Sequence, residues 1–191
     1  MQDYKEFIDE IIIPTDKLQA RIAALGAEIS ADYQSKDLLL VCILRGGVFF
    51  LTDLMRQIDV PHTVDFMAVA SYGIGARRTS GQARLSLDLN TDIRGRNVLL
   101  VEDIVDSGYT IESVLELLST RHPKSLRVCV LLDKVERREV PVPIHYRGFT
   151  IPDKFIFGYG LDVDEYYRHL PFIATVNLDR LQATAHTQSS T

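Results

Sequence analysis

The sequence of 191 residues has no tryptophan, two cysteines and no long apolar run. A membrane-spanning helix needs about 18 or more consecutive apolar residues, so we expect none here. The first ten residues, MQDYKEFIDE, are acidic and do not resemble a secretory signal. Cys42 and Cys129 each lie inside an apolar run, LLLVCIL and LRVCVLL. We therefore expect two buried, reduced thiols and a cytoplasmic protein.

An excess of basic residues is also missing. Lys and Arg number 21 and Asp and Glu number 26, which gives a net charge of −5. A protein that binds nucleic acid mainly through bulk electrostatics carries the opposite balance, so we expect small-molecule ligands rather than nucleic acid or a membrane. The length fits one domain, which we place at residues 1–181. The polar remainder, 182–191, is expected to be a disordered tail.

Buried strands alternate with helices along the chain. Continuous apolar runs at 38–44, 98–101 and 126–132 are typical of strands that are buried on both faces. Helical patterns follow Pro14 and recur at about 48–57 and 110–120. This alternation predicts an α/β fold with a five-stranded, mostly parallel core sheet flanked by helices. Ligands of such sheets bind at the carboxyl ends of the strands, which directs attention to the loops after Leu44, Glu102 and Leu132.

The most informative segment is VLLVEDIVDSGYT, residues 98–110. Three carboxylates follow the predicted strand within five residues, and these are Glu102, Asp103 and Asp106. Carboxylates in this place can accept hydrogen bonds from ribose hydroxyls and can bind a hard cation such as Mg²⁺. Beyond them, backbone amides around Gly108 and the hydroxyls of Ser107 and Thr110 can surround a phosphate at the start of a helix. The segment therefore predicts a site for a ribose 5-phosphate, the alternative being solvated acids and an ordinary helix cap.

This segment resembles the phosphoribosyl pyrophosphate (PRPP) signature of the type I phosphoribosyltransferases. The order of the other motifs, from about Ile12 to Asn177, is similar to that of the hypoxanthine-guanine phosphoribosyltransferases in particular. The resemblance implies a type I phosphoribosyltransferase fold, with a small hood over the base formed by the N-terminal segment and by residues after about 140. It also implies purine salvage, in which PRPP and hypoxanthine or guanine give IMP or GMP and pyrophosphate, with Mg²⁺ as cofactor and two ions expected per active site.

The resemblance further implies a role for each motif. Asp106 is the catalytic carboxylate near purine N7. The residues implied to bind the ribose phosphate of PRPP are Glu102, Asp103, Asp106, Ser107, Gly108, Tyr109 and Thr110. Those implied to bind pyrophosphate are Leu44, Arg45, Gly46 and Arg168, with a cis peptide bond between Leu44 and Arg45. The metal ligands are Glu102, Asp103 and Asp162.

The remaining assignments concern the lid and the base. Ser71 and Tyr72 open a glycine-rich loop that is expected to close over the reaction centre. Lys134 would donate to the 6-oxo group of the purine, which selects oxopurines against adenine. Phe155 would stack on the base, although a core position is the commoner fate of a phenylalanine in an apolar run. Ile156 would present backbone groups to the base edge.

Two other functions remain open at this point. A xanthine-preferring enzyme would carry the same motifs, because the 2-position of the base is read largely by backbone atoms and water. A regulator that keeps the PRPP fold and binds RNA would share the signature, but the net charge, Lys134 and the Phe155 segment argue against it. A homodimer or a homotetramer is expected.

Overall fold

The computed structural model describes residues 3–70 and 84–181. Its helices are α1 (Thr15–Asp32), α2 (Gly47–Arg56) and α3 (Tyr109–Ser119), with short 3-10 turns at Tyr4–Glu6 and Val135–Arg137. Its strands are β1 (Ile8–Ile13), β2 (Leu38–Leu44), β3 (His62–Ala70), β4 (Arg84–Leu87), β5 (Asn97–Val105), β6 (Ser125–Asp133), β7 (Tyr146–Thr150), β8 (Ile156–Phe157) and β9 (Ile173–Val176). The predicted lid residues Ser71 and Tyr72 and the predicted tail lie outside the described residues.

The central sheet has the strand order β4-β3-β2-β5-β6-β7 in the described part of the chain. The five strands from β3 to β7 in this order are parallel, and β4 is an antiparallel strand at the edge. The apolar run that forms β2 is buried almost throughout, as expected for a strand covered on both faces. The predicted α/β fold with a mostly parallel sheet is confirmed.

Helices cover the two faces of this sheet and form its core. On one face, the apolar stripe of α1 (Leu18, Ile22, Leu25 and Ile29) packs with Phe50 and Leu54 of α2. On the other face, Ile111, Val114 and Leu118 of α3 pack against a second apolar cluster. Both cysteines are free and buried, as predicted. In residues 3–70 and 84–181, no helix is long and apolar enough to cross a membrane.

A second, smaller sheet joins the two ends of the described chain. It has the order β1-β9-β8, and its pairs are antiparallel. Its strands come from the N-terminal segment and from residues after 140, the two parts of the chain to which the hood is assigned. Strand β7, in contrast, pairs with β6 and extends the central sheet.

Strand β5 is longer than predicted. It continues to Val105, because Ile104 and Val105 pair with the end of β6. Glu102 and Asp103 therefore lie inside the strand rather than at its end, and Asp106 is the first residue beyond it. Consecutive side chains of a strand point to opposite faces, so this extension decides where each carboxylate is directed.

Candidate active site

An open pocket lies where β5 ends and α3 begins. Its volume is about 190 Å³, and its lining residues are Glu102, Ile104, Val105, Asp106, Ser107, Gly108, Thr110 and Ile111. All of them except Ile111 come from the segment in which the sequence predicts the ribose-phosphate site. Two predicted residues do not line the pocket: Asp103 is buried in β5, and Tyr109 begins α3 with its side chain half exposed. The pocket combines the carboxylates of Glu102, from the strand, and Asp106, just beyond it, with the start of α3.

The first turn of α3 begins after a glycine rather than after a capping side chain. Gly108 precedes the helix with φ of 97°, and no side chain forms a capping hydrogen bond there. Asp106 and Ser107 are therefore not helix caps, and the alternative of an ordinary cap is wrong. The Ser107 carbonyl accepts from the amide of Glu139 at 2.9 Å, which ties the loop to a neighbouring segment. A methyl group at Gly108 would lie 3.0 Å from a methyl carbon of Val140, so only glycine fits this turn comfortably.

Glu102 and Asp103 lie where burial disfavours the negative charge of their carboxylates. Asp103 is 8% exposed, and burial raises its pKa to about 6. Burial, with the nearby charge of Asp103, raises the pKa of Glu102 well above its usual range. The Glu102 Oε2 atom is buried and has no hydrogen-bond partner among the described residues. A cation at this place would relieve both charges.

The carboxylates in this region suit a Mg²⁺ ion that takes only part of its ligands from the protein. Asp162 lies near enough to Asp103 for its charge to raise the pKa of that carboxyl. Across residues 3–70 and 84–181, however, no three side chains of His, Cys, Asp or Glu are grouped so as to hold an ion alone. Mg²⁺ usually takes one or two protein carboxylates and completes its shell with water and substrate phosphate oxygens. The residues present therefore fit an ion that is bound together with a phosphorylated substrate.

Two arginines, Arg45 and Arg168, belong to loops that lie near Asp103. The peptide bond between Leu44 and Arg45 is cis, as expected. A methyl group at Gly46 would overlap the Asp103 carboxylate, so glycine is what lets this loop approach the strand. Arg168 donates to the carbonyl of Gly160 at 2.6 Å and pairs with Asp162 at 2.8 Å.

Glu165, whose role the sequence motifs do not predict, places its carboxylate between these two arginines. Glu165 bonds Arg45 through one oxygen and Arg168 through the other. Nothing in its spacing from the motifs indicates this contact, because Arg45 is 120 residues away.

The residues assigned to the base come from the ends of β6 and β8. Lys134 is 6% exposed, and its Nζ lies 3.5 Å from Asp153 Oδ1. Its backbone amide donates to the Val105 carbonyl at 3.0 Å, so the lysine is tied to the end of β5. The Phe155 side chain is 48% exposed rather than packed in the core, which leaves a ring face free for stacking.

Ile156 occupies the open edge of the smaller sheet. The Val176 amide donates to the carbonyl of Phe155 at 2.9 Å, so the backbone groups of residue 155 face β9. Backbone groups of successive residues in a strand alternate in direction. Those of Ile156 therefore point away from β9, toward the edge that no strand covers in the described residues.

An unpredicted ion-pair chain connects Asp106 with Lys134. Arg137 Nε lies 2.7 Å from Asp106 Oδ1, and Arg137 Nη1 lies 3.2 Å from Asp153 Oδ1. Asp153 in turn pairs with Lys134, and the hydrogen bond from Arg137 is the main cause that lowers the pKa of Asp153. Arg137 is three residues from the predicted lysine, but only the 3-10 turn shows that it faces the acid.

The residue before Lys134, at the end of β6, is a buried carboxylate. Asp133 is fully buried and pairs with Arg138 at 2.7 Å and with Arg147 at 2.8 Å. A buried charge needs such partners, and these two arginines come from the following turn and from β7. The pair of contacts holds the end of β6, and with it Lys134, against the neighbouring strand.

A mostly parallel sheet with acids and a helix start at the end of one strand is typical of proteins that bind phosphorylated ligands. The chain belongs to the phosphoribosyl transferase domain family, whose model matches residues 13–164. Among curated proteins, it is 50% identical over 171 residues to the hypoxanthine phosphoribosyltransferase of Escherichia coli K12, with 88% of this chain and 96% of that protein covered. It is 49% identical over 180 residues to the hypoxanthine-guanine phosphoribosyltransferase of Mycobacterium avium, with 91% and 88% covered.

Comparison with solved structures also finds hypoxanthine phosphoribosyltransferases. A hypoxanthine phosphoribosyltransferase from Staphylococcus aureus superposes with a TM-score of 0.86 at 40% identity and covers 90% of this chain and 93% of its own. The hypoxanthine phosphoribosyltransferase of Trypanosoma cruzi superposes with a TM-score of 0.89 at 36% identity and covers 98% of this chain and all of its own. The predicted family is confirmed.

Proposed function

We propose that this chain transfers the 5-phosphoribosyl group of PRPP to N9 of hypoxanthine or guanine, which gives IMP or GMP and pyrophosphate. The observation that carries the proposal is the pocket at the end of β5, where carboxylates for a ribose meet uncapped helix amides for its phosphate. The names of its relatives support the same substrates.

In this proposal the 5′-phosphate lies at the start of α3. The amides of Tyr109, Thr110 and their neighbours donate to its oxygens, and the positive end of the helix dipole favours its charge. The hydroxyls of Ser107 and Thr110 add two donors. The carboxylates of Glu102 and Asp103 accept from the ribose hydroxyls and bind Mg²⁺, and Asp162 serves a second ion.

Asp106 acts at the purine. N9 attacks C1′ of PRPP, the bond from C1′ to the pyrophosphate oxygen breaks, and Asp106 accepts or shares the N7 proton. The Arg137 guanidinium, 2.7 Å from Asp106 Oδ1, orients the carboxylate for this role. Mg²⁺, when bound, neutralises the charge of the departing pyrophosphate. Arg45, Gly46 and Arg168, with the backbone of Leu44, receive that anion.

The purine lies between Lys134 and Phe155. The ammonium group donates to O6 of an oxopurine, whereas the amino group of adenine would leave it unpaired. The exposed ring of Phe155 stacks on the base, and the open backbone groups of Ile156 face its edge. By resemblance alone, Ser71 and Tyr72 stay assigned to a lid.

A steady-state panel of hypoxanthine, guanine, xanthine and adenine with PRPP and Mg²⁺ tests the proposal. We expect turnover of the first two bases, little turnover of adenine, and no turnover with excess chelator. Preference for xanthine would replace the proposed base specificity and leave the reaction intact. Absence of turnover with every base, combined with retention of structured RNA in a filter-binding assay, would contradict an enzymatic function.

We further propose a cytoplasmic homodimer or homotetramer. The two buried free thiols support a reducing compartment, and the assembly rests on the family resemblance. Sedimentation equilibrium would measure the assembly, and a monomer at micromolar concentration would contradict this part of the proposal.

A further inference from the structure

The Glu165 carboxylate lies between the two guanidinium groups that the proposed function assigns to pyrophosphate. Its Oε1 accepts a hydrogen bond from Arg45 Nη2 at 2.8 Å, and its Oε2 lies 3.2 Å from Arg168 Nη2. One carboxylate thus uses both oxygens to bridge two cations from distant parts of the chain. The bridge places a negative charge where a negative ligand is expected.

The two arginines depend on Glu165 to different degrees. Arg168 has further contacts, with the carbonyl of Gly160 at 2.6 Å and with Asp162 at 2.8 Å. The Arg45 side chain has no other ion pair or hydrogen bond among the described residues. Loss of the bridge would therefore leave Arg168 in place and would free Arg45.

Local backbone structure directs Glu165 to this position. Its amide donates to Asp162 Oδ2 at 2.8 Å, and its φ of 72° places it in a tight turn. Val163 and Tyr166 close that turn with two backbone hydrogen bonds, of 3.2 and 3.0 Å. The carboxylate is thus held near the arginines by the fold of its own loop.

The chemistry of the bridge allows an anion to replace it. Guanidinium groups bind phosphate oxygens and carboxylate oxygens with the same fork of donors. The side chains of Arg45 and Glu165 are 71% and 58% exposed, and ion pairs so exposed contribute little to stability. Pyrophosphate carries more negative charge and more acceptor oxygens than a carboxylate, so it should compete successfully.

We propose that Glu165 is an internal competitor for the pyrophosphate site. Its carboxylate occupies the two arginines in the absence of ligand, is displaced when PRPP or pyrophosphate binds, and returns to assist the release of pyrophosphate. This inference rests on the proposed function, which places pyrophosphate between Arg45 and Arg168.

Glu165→Gln tests the idea, because glutamine keeps the size and the backbone preference but removes the charge. Two exposed ion pairs of ordinary strength correspond to about a two- to thirty-fold effect on an equilibrium constant. We expect the variant to bind inorganic pyrophosphate with Mg²⁺ more tightly by such a factor in titration calorimetry. The inhibition constant of pyrophosphate and the KM for PRPP should fall in parallel, and kcat should not rise.

Asp164→Asn is the matched control. Asp164 is exposed, adjacent in sequence and without an ion pair in the described part of the chain, so its loss removes one negative charge but no bridge. We expect a clearly smaller effect on pyrophosphate binding. An equal effect would show that general charge alone is responsible and would overturn the proposal.

The other outcomes are equally distinct. Weaker binding by Glu165→Gln would mean that Glu165 holds Arg45 in place for the ligand, and unchanged binding would mean that the bridge does not compete. Either result, with normal turnover of oxopurines by the wild type, overturns this inference alone. Failure of the wild type to bind pyrophosphate or to turn over any purine would instead overturn the proposed function. Matching thermal unfolding of all three proteins would confirm that folding is not the cause.

Discussion

Replacing Asp103 with asparagine should stabilise the ligand-free protein at neutral pH. Burial raises the pKa of this carboxyl from 3.8 to about 6, so ionising it in the folded state costs more than ionising it in the unfolded chain. At 1.36 kcal/mol for each tenfold change, the difference is about 3 kcal/mol. The residue is 8% exposed, so screening by solvent reduces this figure only modestly.

The sign of the pH dependence follows from the direction of the shift. Because the folded state holds the proton more tightly, the contribution of Asp103 to stability is fully present below pH 4 and is lost as the pH rises to about 6. Asparagine cannot ionise and avoids that loss. We therefore expect Asp103→Asn to exceed the wild type in the free energy of unfolding by up to about 3 kcal/mol at pH 8, with no gain near pH 4.

Asp65 supplies a control of opposite sign. It is also buried, at 6% exposed, and burial alone would raise its pKa. Hydrogen bonds from Thr91 and from the amide of Phe66, at 2.8 Å, outweigh burial and lower the pKa of Asp65. Asp65→Asn should therefore destabilise the protein at pH 8. The ionised Asp65 carboxylate is more favourable in the folded state than in the unfolded chain, and asparagine removes it.

Denaturant unfolding followed by circular dichroism, with chelator present and at several pH values from 4 to 8, measures these differences. With saturating Mg²⁺ and PRPP, the wild type should instead have a larger free energy of unfolding than Asp103→Asn. The reason is that a ligand that binds only the folded wild type adds stability that the variant lacks. An Asp103→Asn variant that is less stable than the wild type at pH 8 without ligand would refute the reasoning. So would a stability difference that does not change with pH.

Two further predictions concern the reaction itself. Asp106→Asn should lower the single-turnover rate by about 10²- to 10⁴-fold and leave PRPP affinity nearly unchanged, since asparagine cannot accept the N7 proton; a near-normal rate would remove Asp106 from catalysis. Lys134→Ala should lower kcat/KM for hypoxanthine and guanine by at least about tenfold, because a charged donor to a substrate carbonyl contributes about 1.5–3 kcal/mol. The exposed neighbour Lys154→Ala is its control, and an equal loss in both variants would contradict the specific role of Lys134.

The sequence by itself determined the class of fold and directed attention to one candidate site. Runs such as 38–44 are apolar at every position, and such short runs are typical of a strand covered on both faces. The segment 98–110 concentrates acids, glycine and hydroxyls within a few residues, so its pocket is made almost entirely from one stretch of chain. Local patterns of this kind predict structure well, because every group needed is close in sequence.

Only the tertiary structure decided how that site is completed. The extension of β5 to Val105 depends on pairing with β6, which local sequence does not reveal. The bridge from Glu165 to Arg45 spans 120 residues, and the contact from Arg137 to Asp106 depends on the direction of a single 3-10 turn. Charged side chains are long and pair with any opposite charge within reach. Their partners are therefore selected by where the loops of the folded chain bring them, not by their spacing in sequence.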